Sequence, residues 1–227
     1  MEAVWPALAL SLTVACWATA ITSLAGIGLG FALARGQFWG RDLLDTILTL
    51  PMVLPPTVMG YYLLVLLGKK GWIGHWLQQT WGINLIFTWQ GAVIAASVVA
   101  LPLIIKPARA AFETVDTQLE DAARVLGLSE MAVFLRVTLP LAWRGILAGI
   151  LLGFARSMGE FGATLMIAGS IPGKTQTLSV AVYEAVQAGQ DDVANLLVLI
   201  ISGVCVTVLL MANRLAPGHL GRQGHPR

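Results

Sequence analysis

Four stretches of this chain contain no Asp, Glu, Lys or Arg: residues 3–34, 46–68, 71–105 and 193–213. A bilayer core about 30 Å thick needs roughly 20 mostly apolar residues in helical form to cross it, so every one of these runs is long enough to span. No water is present there to satisfy backbone N–H and C=O groups, which leaves only helices or closed barrels. The runs are continuously apolar rather than alternating, and that selects helices. Composition agrees: 11% of the residues are charged, against about 25% in soluble domains. The chain reads as an all-α, polytopic membrane protein.

Five spans are expected, over residues 7–34, 44–68, 89–105, 144–168 and 193–213, in a transmembrane unit covering 1–215. The first run follows Glu2 rather than a basic segment, and its first basic residue, Arg35, comes after it; it reads as a span and not as a cleaved leader. Orientation follows the Lys/Arg bias. With the N-terminus outside, Arg35, Arg41, Lys106, Arg109, Arg124, Arg136, Arg144, Arg214, Arg222 and Arg227 fall inside, and only Lys69, Lys70 and Lys174 outside. N-out, C-in is the expectation, with a cytoplasmic loop over about 106–143 and a disordered tail over 216–227. Trp72, Trp76, Trp81 and Trp89 mark an outer interfacial belt, on a short helix along the surface. Cys16 and Cys205 lie in apolar runs and read as small buried hydrophobes.

The cytoplasmic loop carries the densest pattern. Thr117 and Glu120 have capping-box spacing. Leu119, Ala122, Ala123 and Leu126 follow at i, i+3, i+4 and i+7, one apolar face, and Gly127 can end the helix in a left-handed conformation. Ser129 can cap a second short helix through Val137, and Pro140 breaks it and suits the first turn of the next span. A face of small residues flanked by Glu120, Asp121 and Arg124 lets a partner approach closely; an amphipathic connector resting on the membrane is the other reading. Asp121-Ala122-Ala123, three residues, Gly127, nine residues, Val137, one residue and Leu139-Pro140 resembles the EAA loop of ABC-importer permeases. The resemblance implies that Glu120, Asp121, Ala122, Ala123, Arg124, Gly127, Leu139 and Pro140 couple the chain to an ATPase subunit. Asp121 stands where that pattern has Glu.

Two spans carry unusual residues. Arg156 and Glu160 are four apart and can pair on one helix face, as a packing lock or as a lining of a transport route. A charge within a span costs about 2.5–3.5 kcal/mol on insertion scales, which favours a partner or a cavity. Gly159 and Gly162 permit close helix approach. Pro51, Pro55 and Pro56 remove backbone donors from the second span, predicting a kinked, cavity-lining helix near a gate. The runs LPMVLPPTVMGYYLL and RSMGEFGAT, with Ile171-Pro172-Gly173, look like the permease subunits of molybdate importers, over roughly residues 5–213. Their sulfate relatives are the nearest alternative.

That resemblance implies a MetI-like type I importer core in a bacterial inner membrane. It further implies a homodimer, two ATPase subunits that hold ATP and Mg, and a periplasmic molybdate-binding protein that meets Pro172, Gly173 and Lys174. No catalytic residue, metal site, cofactor or nucleic-acid contact is expected in the chain itself. Gly173-Lys174-Thr175 is no P-loop: the pattern needs Gly at 168, where Ala168 stands. A tungstate or sulfate importer is a close rival, and an ATP-independent channel or carrier using Arg156 and Glu160 as filter or proton relay is a distant one.

Overall fold

The structure, a computed structural model, describes residues 4–215; the tail over 216–227 lies outside the described residues. Among those residues all regular structure is helical: α1 Val4–Arg35, α2 Arg41–Val53, α3 Pro56–Leu67, α4 Trp72–Trp81, α5 Trp89–Glu113, α6 Thr117–Val125, α7 Glu130–Val133, α8 Leu139–Met158, α9 Gly162–Ala168, α10 Leu178–Gln187 and α11 Asp191–Leu215. A π-helical turn, Phe134–Thr138, joins α7 to α8, so Glu130–Met158 runs as one long apolar helix.

Helix α5 is the axis of the molecule. Lipid offers no hydrophobic drive for helix association, so close approach of small residues must do the work. The buried stripe of α1 holds Ala7, Ser11, Ala15, Ala18, Thr22, Gly26, Gly30 and Leu33. A Cβ on Gly30 would lie 3.0 Å from the Ala108 Cβ and 3.1 Å from the Arg109 nitrogen; on Gly26 it would meet Ile104 at 2.8 Å. On a neighbouring face Gly145, Gly149 and Gly153 of α8 rest on Ala111, Pro107 and Ile104, with a Cβ clearance of 2.7–3.1 Å. Helices α1, α5 and α8 thus pack mutually, with glycines of α1 and α8 both closing on α5.

Four expectations are corrected. The third span continues as helix through Lys106 and Pro107 to Glu113, where Asp45 of α2 pairs with Lys106 (2.8 Å) and Arg109 (3.1 Å) and Glu113 pairs with Arg109 (2.8 Å). The Asp45 contacts tether α2, none of whose residues is buried. The second span is broken rather than kinked: α2 and α3 meet at 114°, separated by Leu54 and Pro55, both extended in ψ. Pro51 sits inside α2 without ending it. The fourth span starts earlier and ends at Met158, with α9 a separate helix. Cys16 is exposed on α1 rather than buried. The Trp-bearing surface helix is present as α4, with Trp72, Trp76 and Trp81 exposed.

Candidate functional site: a coupling helix and two broken spans

Helix α6 lies at the end of the bundle that the charge bias assigns to the cytoplasm. Asp116 caps it, accepting from the Gln118 N–H at 2.9 Å, in place of the expected capping box. Glu120 is released from that role and turns inward, only 4% exposed. Its Oε1 accepts from Arg35 Nη2 at 3.0 Å and from Thr138 Oγ1 at 2.8 Å. Gly127, at φ 87°, ends the turn, and the Leu128 N–H reaches back to the Ala123 carbonyl at 3.2 Å. Ser129 caps α7 through the Ala132 N–H.

Pro140 does not stop the second arm. Its missing N–H and ring clash are absorbed where the helix widens: Leu139 N–H bonds to the Phe134 carbonyl, five residues back. Leu139 is half-buried and Pro140 exposed in the first turn of α8.

The apolar face of α6 is split. Ala123 packs inward, whereas Leu119, Val125 (87% exposed) and Leu126 (81%) point out beside exposed Ala122. The helix therefore buries a carboxylate and presents aliphatic side chains. Met131 and Leu135 extend this exposed apolar surface along the second arm. Asp121 flanks it with its side chain 69% exposed. Arg124 staples the arms, contacting Asp121 at 2.6 Å and Glu130 through two nitrogens at 2.8 and 3.1 Å. These bonds, Glu130 first, raise the Arg124 guanidinium above its ordinary pKa. An open cavity of about 400 Å³ beside α6 is lined by Arg35, Thr117, Asp121, Glu130 and Phe134.

The two broken spans are brought together. Gly162 on α9 packs against Pro56, where an added Cβ would stand 3.0 Å from the proline Cβ. Gly60 on α3 packs against α9 in return, leaving 2.8 Å to the Ala163 Cα and 2.9 Å to the Met166 Cβ. Arg156 pairs with Glu160 at 2.8 Å, as their spacing predicts, though Glu160 lies beyond the helix end. Glu160 is buried and its Oε1 accepts from the Ala163 N–H at 2.9 Å, fastening the start of α9. Gly159 is exposed in the break. Pro55 and Pro56 are exposed at the α2–α3 bend. Pro172, Gly173 and Lys174 form an exposed turn closed by the Lys174 N–H on the Ile171 carbonyl at 3.0 Å.

Sequence reasoning missed Val125, Met131, Arg35 and Thr138. Val125 follows Ala122 by three, on the outward arc, and Arg35 is the first basic residue after the first span; both signals were readable.

Glycine-packed spans, a bent second span and an aliphatic-faced helix between spans define a polytopic helical membrane protein. Residues 26–218 match the family described as binding-protein-dependent transport system inner membrane component, and the chain belongs to that family. It is 44% identical to the molybdenum transport system permease protein ModB of Escherichia coli (strain K12) over 208 residues, 91% of each chain. It is 35% identical to the sulfate transport system permease protein CysW of Synechococcus elongatus, covering 96% of this chain and 75% of the relative. Its fold matches a chain of the inward-facing MetNI methionine ABC transporter with a TM-score of 0.65 at 18% identity, covering 94% of this chain and 93% of that one.

Proposed function

We infer that this chain is the transmembrane subunit of an ATP-driven importer whose cargo is molybdate. The observation that carries the coupling role is the outward aliphatic arc of α6, Leu119, Ala122, Val125 and Leu126, on the short helix that follows the third span. Aliphatic side chains left in water on a capped helix suit a protein groove, and Asp121 at their border supplies a charge for orientation. ATP and Mg are held by the partner ATPase, and a binding protein delivers cargo to the turn at Pro172–Lys174. Identity of 44% to a molybdenum permease, against 35% to a sulfate permease, supports molybdate over sulfate.

Two copies enclose the route. One chain leaves Tyr61 and Tyr62 of α3 and most of α11 exposed, surfaces that a second copy and lipid divide between them. Arg156, its side chain 31% exposed, offers positive potential to a passing oxyanion, while buried Glu160 holds the break in place.

Reconstitution in liposomes with the ATPase and binding protein tests this. ATP-dependent uptake of labelled molybdate is expected, with sulfate uptake at least about tenfold slower at equal concentration, a difference of about 1.4 kcal/mol. Uptake that persists without the ATPase would establish a carrier or channel instead. Arg156→Ala lowers molybdate uptake while leaving ATPase binding intact; equal uptake would remove Arg156 from the route.

A further inference from the structure

We propose that Glu120 is a positioning residue that carries the motion of the coupling helix into the membrane, through Arg35 and Thr138, rather than a contact to the ATPase; this rests on the importer reading above.

Of the nine residues of α6, only Glu120 and Ala123 are buried. A push on α6 therefore reaches the spans through these two side chains and the chain connections at its ends. Ala123 offers a methyl group with no directional bond. Glu120 offers an oxygen shared between two spans: Arg35 is the last residue of α1, and Thr138 is the last of the π-helical turn that opens α8. Arg35 Nη2 also donates to the Val115 carbonyl at 2.9 Å, so the same guanidinium holds the segment leading into α6. The junction joins α1, the start of α6 and α8 around one carboxylate.

The π-helical turn explains how Thr138 comes to face it. One additional residue in a turn rotates what precedes it by about 100° relative to an unbroken α-helix. With α8 fixed against α5 by Gly145, Gly149 and Gly153, that rotation sets the orientation of the arm below. Phe134 in the same turn packs on Phe31 of α1 at 4.8 Å and on Phe112 of α5 at 6.0 Å between ring centroids. An apolar joint of three rings thus lies beside a polar joint of three side chains. The rings hold α1, α5 and the turn together, and the carboxylate ties α6 to that assembly.

A docking contact would need an open carboxylate, whereas the Glu120 side chain is 5% exposed at the wall of the cavity beside α6 and its Oε1 is taken by Arg35 and Thr138. Asp121, its neighbour, faces outward and can meet the partner, which separates the roles of two adjacent carboxylates: one receives the force and the other passes it on.

The test uses the complete transporter in liposomes, with molybdate as cargo, reading three quantities: co-purification of the ATPase, ATP hydrolysis, and molybdate imported per ATP hydrolysed. Glu120→Ala is expected to retain the ATPase and to hydrolyse ATP, with import per ATP reduced about tenfold, within the usual range of coupling between sites. Glu120→Gln keeps an oxygen able to accept from Arg35 and Thr138 and restores most of that ratio. Thr138→Val keeps the shape of the side chain, removes one donor, and lowers the ratio about threefold, again within that range; it decides the matter alone if Glu120→Ala does not insert. An unchanged ratio in Thr138→Val and in any inserted Glu120→Ala chain overturns the proposal. Loss of ATPase binding in both Glu120 variants, with import per ATP intact in what remains bound, also overturns it by making Glu120 a docking residue. Failure of the importer reading shows separately, as a wild-type chain whose transport ignores ATP.

Discussion

Helices α5 and α11 are each 25 residues long and each apolar enough to cross a bilayer, yet they occupy opposite situations. In its most apolar window α5 is 61% buried within the chain and α11 only 11%, although α11 has the higher mean hydropathy, 2.7 against 1.9. Hydropathy measures the preference for leaving water and says nothing about whether lipid or protein receives the helix. Residue size does. Half of the buried positions of α5 are Gly or Ala, namely Gly91, Ala92, Ala95, Ala96, Ala100 and Ala108, and its neighbours bring glycines to Ile104, Pro107, Ala108 and Ala111. Along α11 one narrow stripe, Ala194 and Leu197 with Ile200 and Ile201, packs on Ala7, Met158 and Leu178, while Leu196, Val198, Leu199, Val206 and Leu210 are exposed bulky side chains that suit the flexible tails of lipid.

A matched pair of glycine substitutions is the hardest test of that contrast. Gly30→Leu drives a side chain into the Ala108 Cβ and the backbone of Arg109 and Ile105, all within 3.3 Å of the Cβ it adds. Overpacking against backbone costs about 3 kcal/mol, and the expected result is loss of folded protein in detergent, read by size exclusion and thermal unfolding. Gly203→Leu on α11 has open space around it and should shift stability by less than about 0.5 kcal/mol. A large loss at Gly203 would mean that another chain covers this face.

Helix α6 sharpens the comparison because it also exposes aliphatic side chains, but between spans rather than along one. The same chemical change then has different consequences in the two places. Leu199→Asp puts a charge on the exposed middle of α11 and costs about 3 kcal/mol of insertion, measured as the inserted fraction. Val125→Asp leaves insertion alone and weakens ATPase association about tenfold, equivalent to about 1.4 kcal/mol, measured by co-purification across a concentration series. If Val125→Asp left association unchanged, the arc on α6 would be resting on lipid headgroups.

The spans were legible because lipid imposes one demand along a whole helix, and charge-free runs record it. The Lys/Arg bias and the spacing from Asp121 to Pro140 were legible for the same reason, since each is a property of consecutive residues. What escaped was set by contacts between distant ones. Lys106 reads as the start of a loop until Asp45, 61 residues earlier, is found beside it. Thr117 and Glu120 have capping spacing, yet Asp116 takes the cap because Glu120 gains two bonds inside the protein. Pro140 stands in the first turn of the next span as its spacing predicts, while the break expected before it is absorbed by the widened turn. The bend between α2 and α3 exceeds any single proline kink because Leu54 and Pro55 both leave the helical region together. Arg156 and Glu160 pair as spaced, while the end of α8 between them depends on α9 docking against α3.

The most local effects are expected at the two ends of α6, where conformation can be separated from docking. At Gly127 a Cβ would meet nothing within 4 Å, but φ is 87°. Gly127→Ala therefore carries only the left-handed penalty of an L-residue, about 1–2 kcal/mol. At the other end Asp116→Ala removes the side-chain acceptor for the Gln118 N–H, worth about 1 kcal/mol. Neither change touches α5 or α11, so global unfolding should be unaffected. Hydrogen exchange of the amides over 117–128 should accelerate in both variants, more in Gly127→Ala than in Asp116→Ala. Equal protection in both would show that burial of Glu120 and Ala123 alone holds the helix, with its ends free to fray.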